Sequence, residues 1–257
     1  IGPMVSFGLE SFLPNPGDYS SGLTPEAWTS KDVIRNDLHG IFYEKKVWRS
    51  LGGSLLLSVL CSLFAGTFGL LIGYAVSKKR KSKFANFVNG LAFFPYLIPS
   101  ISLSLVFFLL ATSMKVAVGS LWWPALWTCV IVGTIKYIPF SSRSSLNAMM
   151  QLSGEIEEAA IIQHIPWWKR MTRIIFPIQK SAFISGYLLP FISCMRELSL
   201  FVFIGPDDIV LTRFMFFLNA DGIPALENAA NLLLVVIILL VNYLVNLLTG
   251  ASIDKGI

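Results

Sequence analysis

The sequence has 257 residues, of which 54% are apolar and only 14% charged, and its mean hydropathy is +0.68. A soluble domain carries about one quarter charged residues, so this balance excludes that class and indicates a membrane protein. The net charge of +5 is accounted for by basic loops facing water or lipid headgroups, and no nucleic-acid partner is implied.

Residues 1–46 come first. The opening "IGPMVSFGL" is too short for a span or a signal-peptide core. The stretch "LPNPGDYSSGLTPEAW" reads as loop, with a short helix expected after Thr24, an N-cap candidate ahead of Pro25. The topology derived below puts this segment outside, with no translocating segment before it. It is therefore expected to follow an earlier span in a longer polypeptide, as in the second half of a fused pair.

A helix needs about 20 mostly apolar residues to cross a hydrocarbon core roughly 30 Å thick, and five runs qualify. Residues 51–76 carry no charge. Residues 87–111 contain Pro95 and Pro99, which should bend or break the span. Residues 120–140 open with Trp122 and Trp123 and end near Lys136 and Pro139. Residues 182–204 hold Pro190 and the adjacent charges Arg196 and Glu197. Residues 229–248 are a plain apolar run. The expected fold is an all-α polytopic membrane protein, with a transmembrane region at 47–250. Cys61, Cys129 and Cys194 all fall inside spans, where packing is a better reading than a disulfide framework or a metal cluster.

Basic residues set the orientation. "SKKRKSK" (77–83) follows the first span and "WWKRMTR" (167–173) follows the third, so alternation places both on one side, the cytoplasm. Residues 1–46, 112–119 and 205–228 then fall outside, and the tail 251–257 inside.

The most polar interruption is "EIEEAAIIQHIPWWKRMTRIIFP", within a loop at 153–176. Ser153 is placed to cap a helix whose first turn carries Glu155, Glu157 and Glu158, acids that suit the positive end of the helix dipole. That helix should stop near His164, because Pro166 disfavours helical geometry in the residue before it. A second helix should start after Pro166. Ile161, Ile162 and Ile165 would be wasted on a solvated loop. Two readings fit them: a helix docking on a cytoplasmic protein, or an amphipathic helix lying on lipid.

Glu158, Ala159 and Ala160, then His164, then Ile174, Phe176 and Pro177 stand at the spacing of the signature loop of binding-protein-dependent ABC importer permeases. That signature is Glu-Ala-Ala, three residues, Gly, nine residues, Ile, one residue, Leu-Pro. The lead-in "RSSLNAMMQLSGEIEEAA" is also similar to the family's. Five spans in this order extend the resemblance over about residues 48–248. It implies a MetI-like fold and a coupling helix that fits a groove on a cytoplasmic ATPase subunit. Carried over, Glu155, Glu158, Ala159, Ala160, His164 and Pro166 form the ATPase-coupling set, Glu158 being the polar contact and the alanines allowing close approach. His164 replaces the family's glycine and Phe176 its leucine. A glycine there permits a left-handed turn that histidine tolerates less well, so His164 is read as a surface residue of the bend.

Charged groups inside a membrane cost at least about 2.5–3.5 kcal/mol each and face a cavity or a partner. Arg196 and Glu197 are neighbours about 100° apart on a helix and pair poorly with each other. They either line or gate a path, or fix packing through Lys136 or a backbone carbonyl. "RELSLF" resembles the Arg/Lys-Glu-Leu of the ferric-iron-type subgroup of these permeases. Pro95, Tyr96, Pro99 and Ser100 either open carbonyls toward a cavity or are kinks set by packing. Ser100, Ser102 and Ser104 cannot all share one helical face, so only a subset of them could line a pore.

No G-x-x-x-x-G-K-[ST], H-E-x-x-H or nucleophile elbow occurs, so the chain is expected to be no enzyme and to bind no cofactor or metal of its own. The resemblance implies the membrane-spanning subunit, or half, of an ATP-driven importer in the bacterial inner membrane. ATP and Mg would bind two partner ATPase subunits. A second permease half and an extracytoplasmic solute-binding protein complete the expected partners. Ferric iron is the expected solute, with phosphonate, thiamine or polyamine as alternatives. The alternative class is an ion-coupled secondary transporter or channel.

Overall fold

The computed structural model describes residues 2–15, 17–20, 22–34, 36–79, 81–113, 122–206 and 208–249. The tail at 251–257 and most of the 112–119 link lie outside the described residues. Among the described residues the structure is helical, with no β-strand. In chain order the helices are α1 (Gly2–Glu10), α2 (Glu26–Thr29), α3 (Lys45–Lys78), α4 (Lys83–Leu97), α5 (Ser100–Ser113), α6 (Trp122–Gln151), α7 (Gly154–Ile162) and α8 (Trp167–Arg170). A π-helical turn at Met171–Ile175 follows, then α9 (Phe176–Ile178), α10 (Lys180–Met195), α11 (Leu211–Ala220) and α12 (Pro224–Thr249).

Among the described residues three helices are long and apolar enough to cross a membrane: Lys45–Lys78, Trp122–Gln151 and Pro224–Leu247. Two bent pairs raise the number to as many as five, α4 with α5 at 95° and Trp167–Ile178 with α10 at 90°. The second expected span is therefore broken, and its two prolines act differently. Pro95 stays inside α4. Pro99 does the breaking, because its ring forces Ile98 into extended geometry (φ −78°, ψ 130°), which ends α4.

The fourth expected span is corrected at its far end. Helix α10 stops at Met195, so Arg196 and Glu197 lie beyond it in irregular chain rather than within a span. Glu197 acts there as a local cap, its carboxylate accepting the Leu200 backbone N–H at 3.0 Å. The Thr212 hydroxyl donates to the Glu197 carbonyl at 2.7 Å. Backbone groups freed at the helix end thus find polar partners close by.

The chain divides into two compact units, one of residues 1–57, 104–129 and 195–240, the other of residues 58–103, 130–194 and 241–257. In the first, the Ser54 hydroxyl donates to the Ile209 carbonyl at 3.0 Å and accepts the Leu211 N–H at 2.8 Å. Arg49 pairs with Asp208 at 2.9 Å. These bonds anchor the 205–228 link, whose helix α11 buries Phe214, Met215 and Leu218 while exposing Phe216 and Phe217. Helix α1, which no sequence signal indicated, sends Glu10 to Asn228 of α12 at 3.2 Å.

The second unit is held by serines and glycines. A Cβ on Gly69 would lie 2.3 Å from the Ser141 Cβ, and one on Gly73 would lie 2.6 Å from that of Ser145. So α3 meets α6 with almost no side chain between them, the close approach that small residues permit. Ser145 donates to the Leu70 carbonyl at 3.0 Å, Ser144 to Ala182 at 2.7 Å and Ser62 to Tyr187 at 2.7 Å. Each hydroxyl finds a carbonyl on a neighbouring helix, where no water is at hand. The three cysteines are buried and unbridged.

Candidate coupling helix and its attachment

Ser153 stands at the N-cap of α7 in extended geometry (φ −61°, ψ 132°), with no side-chain capping bond. Glu155, Glu158 and Ala159 are exposed on α7, as are Ile161 and, at 77%, Ile162. Ala160 turns inward and is buried. Of the two signature alanines, only Ala159 is on the open face. α7 therefore exposes a strip of mixed acid and isoleucine.

The helix ends in a left-handed turn on a non-glycine residue. His164 has φ +55° and is exposed. Its N–H donates to the Ile161 carbonyl at 2.9 Å, and the Ile165 N–H reaches back to the Ala160 carbonyl at 3.1 Å. Those two bonds, 5→2 and 6→1, define a Schellman cap with His164 at C′. The imidazole thus occupies the conformation that the glycine of the family pattern adopts without steric cost. Pro166 follows in extended geometry and opens α8.

Glu157 does something different from its neighbours. It is 3% exposed and faces the end of α3. Tyr74 donates to one carboxylate oxygen at 2.6 Å, and the Lys78 ammonium pairs with the other. Trp167 stands edge-on to the Tyr74 ring at 5.8 Å, and Lys78 lies over the same ring. Beneath them Leu70, Met149, Met171, Ile175 and Phe183 form one apolar cluster. Phe176, in place of the expected leucine, stacks on Phe183 at 5.5 Å. The segment that begins with α7 is therefore fastened to α3 by an ion pair and seated on apolar side chains.

The broken second span has its own lock. Lys136, 6% exposed, donates to the carbonyls of Pro95 (3.3 Å), Tyr96 (3.5 Å) and Ile98 (2.5 Å). Its ammonium also lies 5.8 Å from the centre of the Tyr96 ring. A buried cation here meets the negative end of α4 and the carbonyls that the break releases. Tyr96 is exposed and packs edge-on against Phe140 at 5.4 Å; Pro99 is exposed and Ser100 half-buried. Pro95, Tyr96, Pro99 and Ser100 fall in one unit, Arg196 and Glu197 in the other. Arg196 is exposed. Among the described residues no His, Cys, Asp or Glu cluster is arranged to hold a metal.

The family model "binding-protein-dependent transport system inner membrane component" matches residues 65–255. The chain belongs to that family. Among curated members it is similar to the putative ferric transport system permease protein FbpB 1 of Haemophilus influenzae, 24% identical over 177 residues, 66% of this chain and 26% of that protein. It is also similar to the ferric transport system permease protein FbpB of Actinobacillus pleuropneumoniae, 23% identical over 201 residues, 75% of this chain and 27% of that protein. The chain thus spans about a quarter of the length of the curated relatives it matches.

Among solved structures, the MetNI methionine ABC transporter in an inward-facing conformation aligns with a TM-score of 0.65 at 16% identity, covering 77% of this chain and 91% of that one. A bacterial alginate ABC transporter in complex with its alginate-pentasaccharide-bound periplasmic protein aligns with a TM-score of 0.65 at 15% identity, covering 98% and 90%. The fold is that of ABC transporter permeases.

For a permease of this family, the inward, attached side of α7 was missed from the sequence. Glu157 and Ala160, three residues apart, share the inward face; the spacing was available. What the sequence withheld was the partner, Lys78, taken only as one of several bases in a topology-setting loop. The role of Lys136 as a cap on α4 was likewise hidden, because it depends on a bend that brings carbonyls forty residues away to one ammonium.

Proposed function

We propose that this chain is the transmembrane half, or subunit, of an ATP-driven importer that passes a solute from an extracytoplasmic binding protein into the cytoplasm. The observation that carries the reading is α7 itself: a helix presenting Glu155, Glu158, Ala159 and Ile162 outward while Glu157 fastens it to α3. A docked ATPase pair, hydrolysing ATP with Mg, would move that helix on closure, and the attachment would pass the motion to the spans. Glu155, Glu158 and Ala159 contact the ATPase, while His164 and Pro166 set the bend. Arg196, Glu197 and the Pro95–Ser100 break serve the translocation path or its gate.

Basic residues at 77–83 and 167–173 put α7 on the cytoplasmic side of the bacterial inner membrane, and the 205–228 link outside, where the binding protein docks. That link borders a cleft of about 510 Å³ carrying Lys46, Arg49, Asp208 and Asp221, a charged rim suited to a soluble partner. A second permease half completes the path. Ferric iron is the proposed solute, supported by the names of the two curated relatives; their low identity leaves phosphonate, thiamine and polyamine to be tested beside it.

Reconstitution tests the reading. Uptake into proteoliposomes should require the ATPase subunits, ATP and the binding protein, and Glu158→Lys should abolish ATPase association. Uptake driven by an ion gradient without any ATPase would establish the secondary-transporter alternative instead.

A further inference from the structure

A cleft of about 370 Å³ opens where α3 ends and α4 begins. Its lining is mostly apolar, with Ala75, Val76, Phe84, Ala85 and Val88, and Tyr74, Lys78, Lys79 and Ser82 supply its polar groups. The turn between the helices is fixed by the Ser82 N–H donating to the Lys79 carbonyl at 2.8 Å. Among the described residues no carboxylate lines the cleft. Lys78 is answered by Glu157 from outside it, which leaves the charge of exposed Lys79, together with Lys81 of the same turn and Lys83 at the start of α4, without an acidic counterpart among the lining residues.

An apolar trough with a cationic lip, at the end of a membrane-spanning helix, is complementary to a molecule that is anionic at one end and hydrocarbon at the other. Basic residues flanking a span attract anionic headgroups. Diffuse attraction of that kind needs no cavity. Here the cavity is present, its size falls within the range of small-molecule clefts, and its apolar walls suit the first methylenes of an acyl chain.

We propose that this cleft binds an anionic phospholipid, with Lys79 and the Ser82 hydroxyl on the headgroup phosphate and the upper acyl chain against Val76, Ala85 and Val88. Lys78 lies on the rim and also in the Glu157 pair, so an occupant of the cleft sits one side chain from the fastening of the coupling helix. The proposal draws on the functional reading only for the side of the membrane; the binding itself requires neither ATPase nor transport.

The test is native mass spectrometry of the full-length protein in detergent, titrated with phosphatidylglycerol or zwitterionic phosphatidylcholine. Wild type should retain phosphatidylglycerol at least fivefold better. Lys79→Gln should remove most of that preference, and Val88→Trp, which fills the cleft without touching charge, should remove it equally. A Val88→Trp protein that still melts cooperatively and keeps the full preference would show diffuse surface attraction and overturn the proposal. If Val88→Trp does not fold, Phe84→Trp, at a largely exposed wall position, replaces it under the same criterion. Displacement of phosphatidylglycerol by millimolar inorganic phosphate would identify a free-phosphate site and overturn the lipid assignment.

Discussion

The Tyr74 hydroxyl, near the end of α3, donates to the Glu157 carboxylate of α7 at 2.6 Å. The same carboxylate is paired with Lys78, one turn further along α3. Two contacts from one helix onto one side chain of another make a fixed joint rather than a hinge. A buried carboxylate held this way is costly to leave half-satisfied.

Tyr74→Phe removes one hydrogen bond to a charged acceptor, worth about 1.5–3 kcal/mol. Amide exchange across residues 154–165 should then quicken by about tenfold or more. Glu157→Gln should do the same, and the double variant should exchange little faster than either single one, because both break one joint. In the assembled transporter these variants should keep ATP hydrolysis and lose uptake. Unchanged exchange in both would show that the apolar cluster alone seats α7.

His164 gives a prediction of opposite sign. A left-handed residue with a Cβ costs about 1–2 kcal/mol, and glycine escapes that cost while losing about 0.5–1 kcal/mol to its greater unfolded freedom. His164→Gly should therefore stabilise the end of α7 by about 0.5–1 kcal/mol, read as slower exchange of the Ile165 amide. His164→Val should speed that exchange, since a β-branched residue at positive φ is strained. Equal exchange in all three proteins would mean that the cap forms only part of the time.

The sequence made the outward chemistry of this loop readable and hid its inward chemistry. Acids at a helix start, the stop before Pro166 and the apolar runs of the spans follow from local rules: the helix dipole, proline sterics and hydropathy. The side-chain cap expected of Ser153 does not form. Glu157, Lys78, Lys136 and the serines of α6 take their partners from distant helices, and no window of neighbouring residues holds that information. Arg196 and Glu197 show the reverse error. Read by hydropathy they lay inside a span, yet α10 ends one residue earlier, because the charged pair begins a turn that Glu197 itself caps. Pro95 and Pro99 were equal candidates for the break; only the second forces its predecessor out of the helix.

Helix contact in the second unit yields a sharp contrast. Gly73 has the Ser145 Cβ and the Leu146 backbone nitrogen within 2.7 Å of where a Cβ would stand, whereas nothing lies within 4 Å of one on Gly90. Gly73→Leu should push α3 from α6 and cost about 1–3 kcal/mol or more in overpacking, lowering the melting temperature in detergent. Gly90→Ala should leave the melting temperature unchanged or raise it, since alanine is the better helix former by about 0.8–1.0 kcal/mol. Equal melting of the two variants would contradict the close approach of α3 and α6.

The bend at Ile98 and Pro99 has two separable supports, and Lys136 is the one that can be removed without altering the backbone. Its ammonium serves three carbonyls released by the break, where the alternative is unsatisfied acceptors in an apolar setting, each costing about 1–3 kcal/mol. Lys136→Met should lower stability by about 3 kcal/mol or more on that account. Lys136→Arg should recover part of it, because a planar guanidinium carries the charge but cannot converge on three carbonyls as an ammonium does. Spin labels at Phe87 on α4 and Ile101 on α5, both exposed, report the angle directly. Their distance distribution should be narrow in the parent and broad in Lys136→Met. A distribution unchanged by Lys136→Met but shifted to longer distance by Pro99→Ala would assign the bend to proline geometry alone, and would leave Lys136 a stabiliser of carbonyls rather than a holder of the angle.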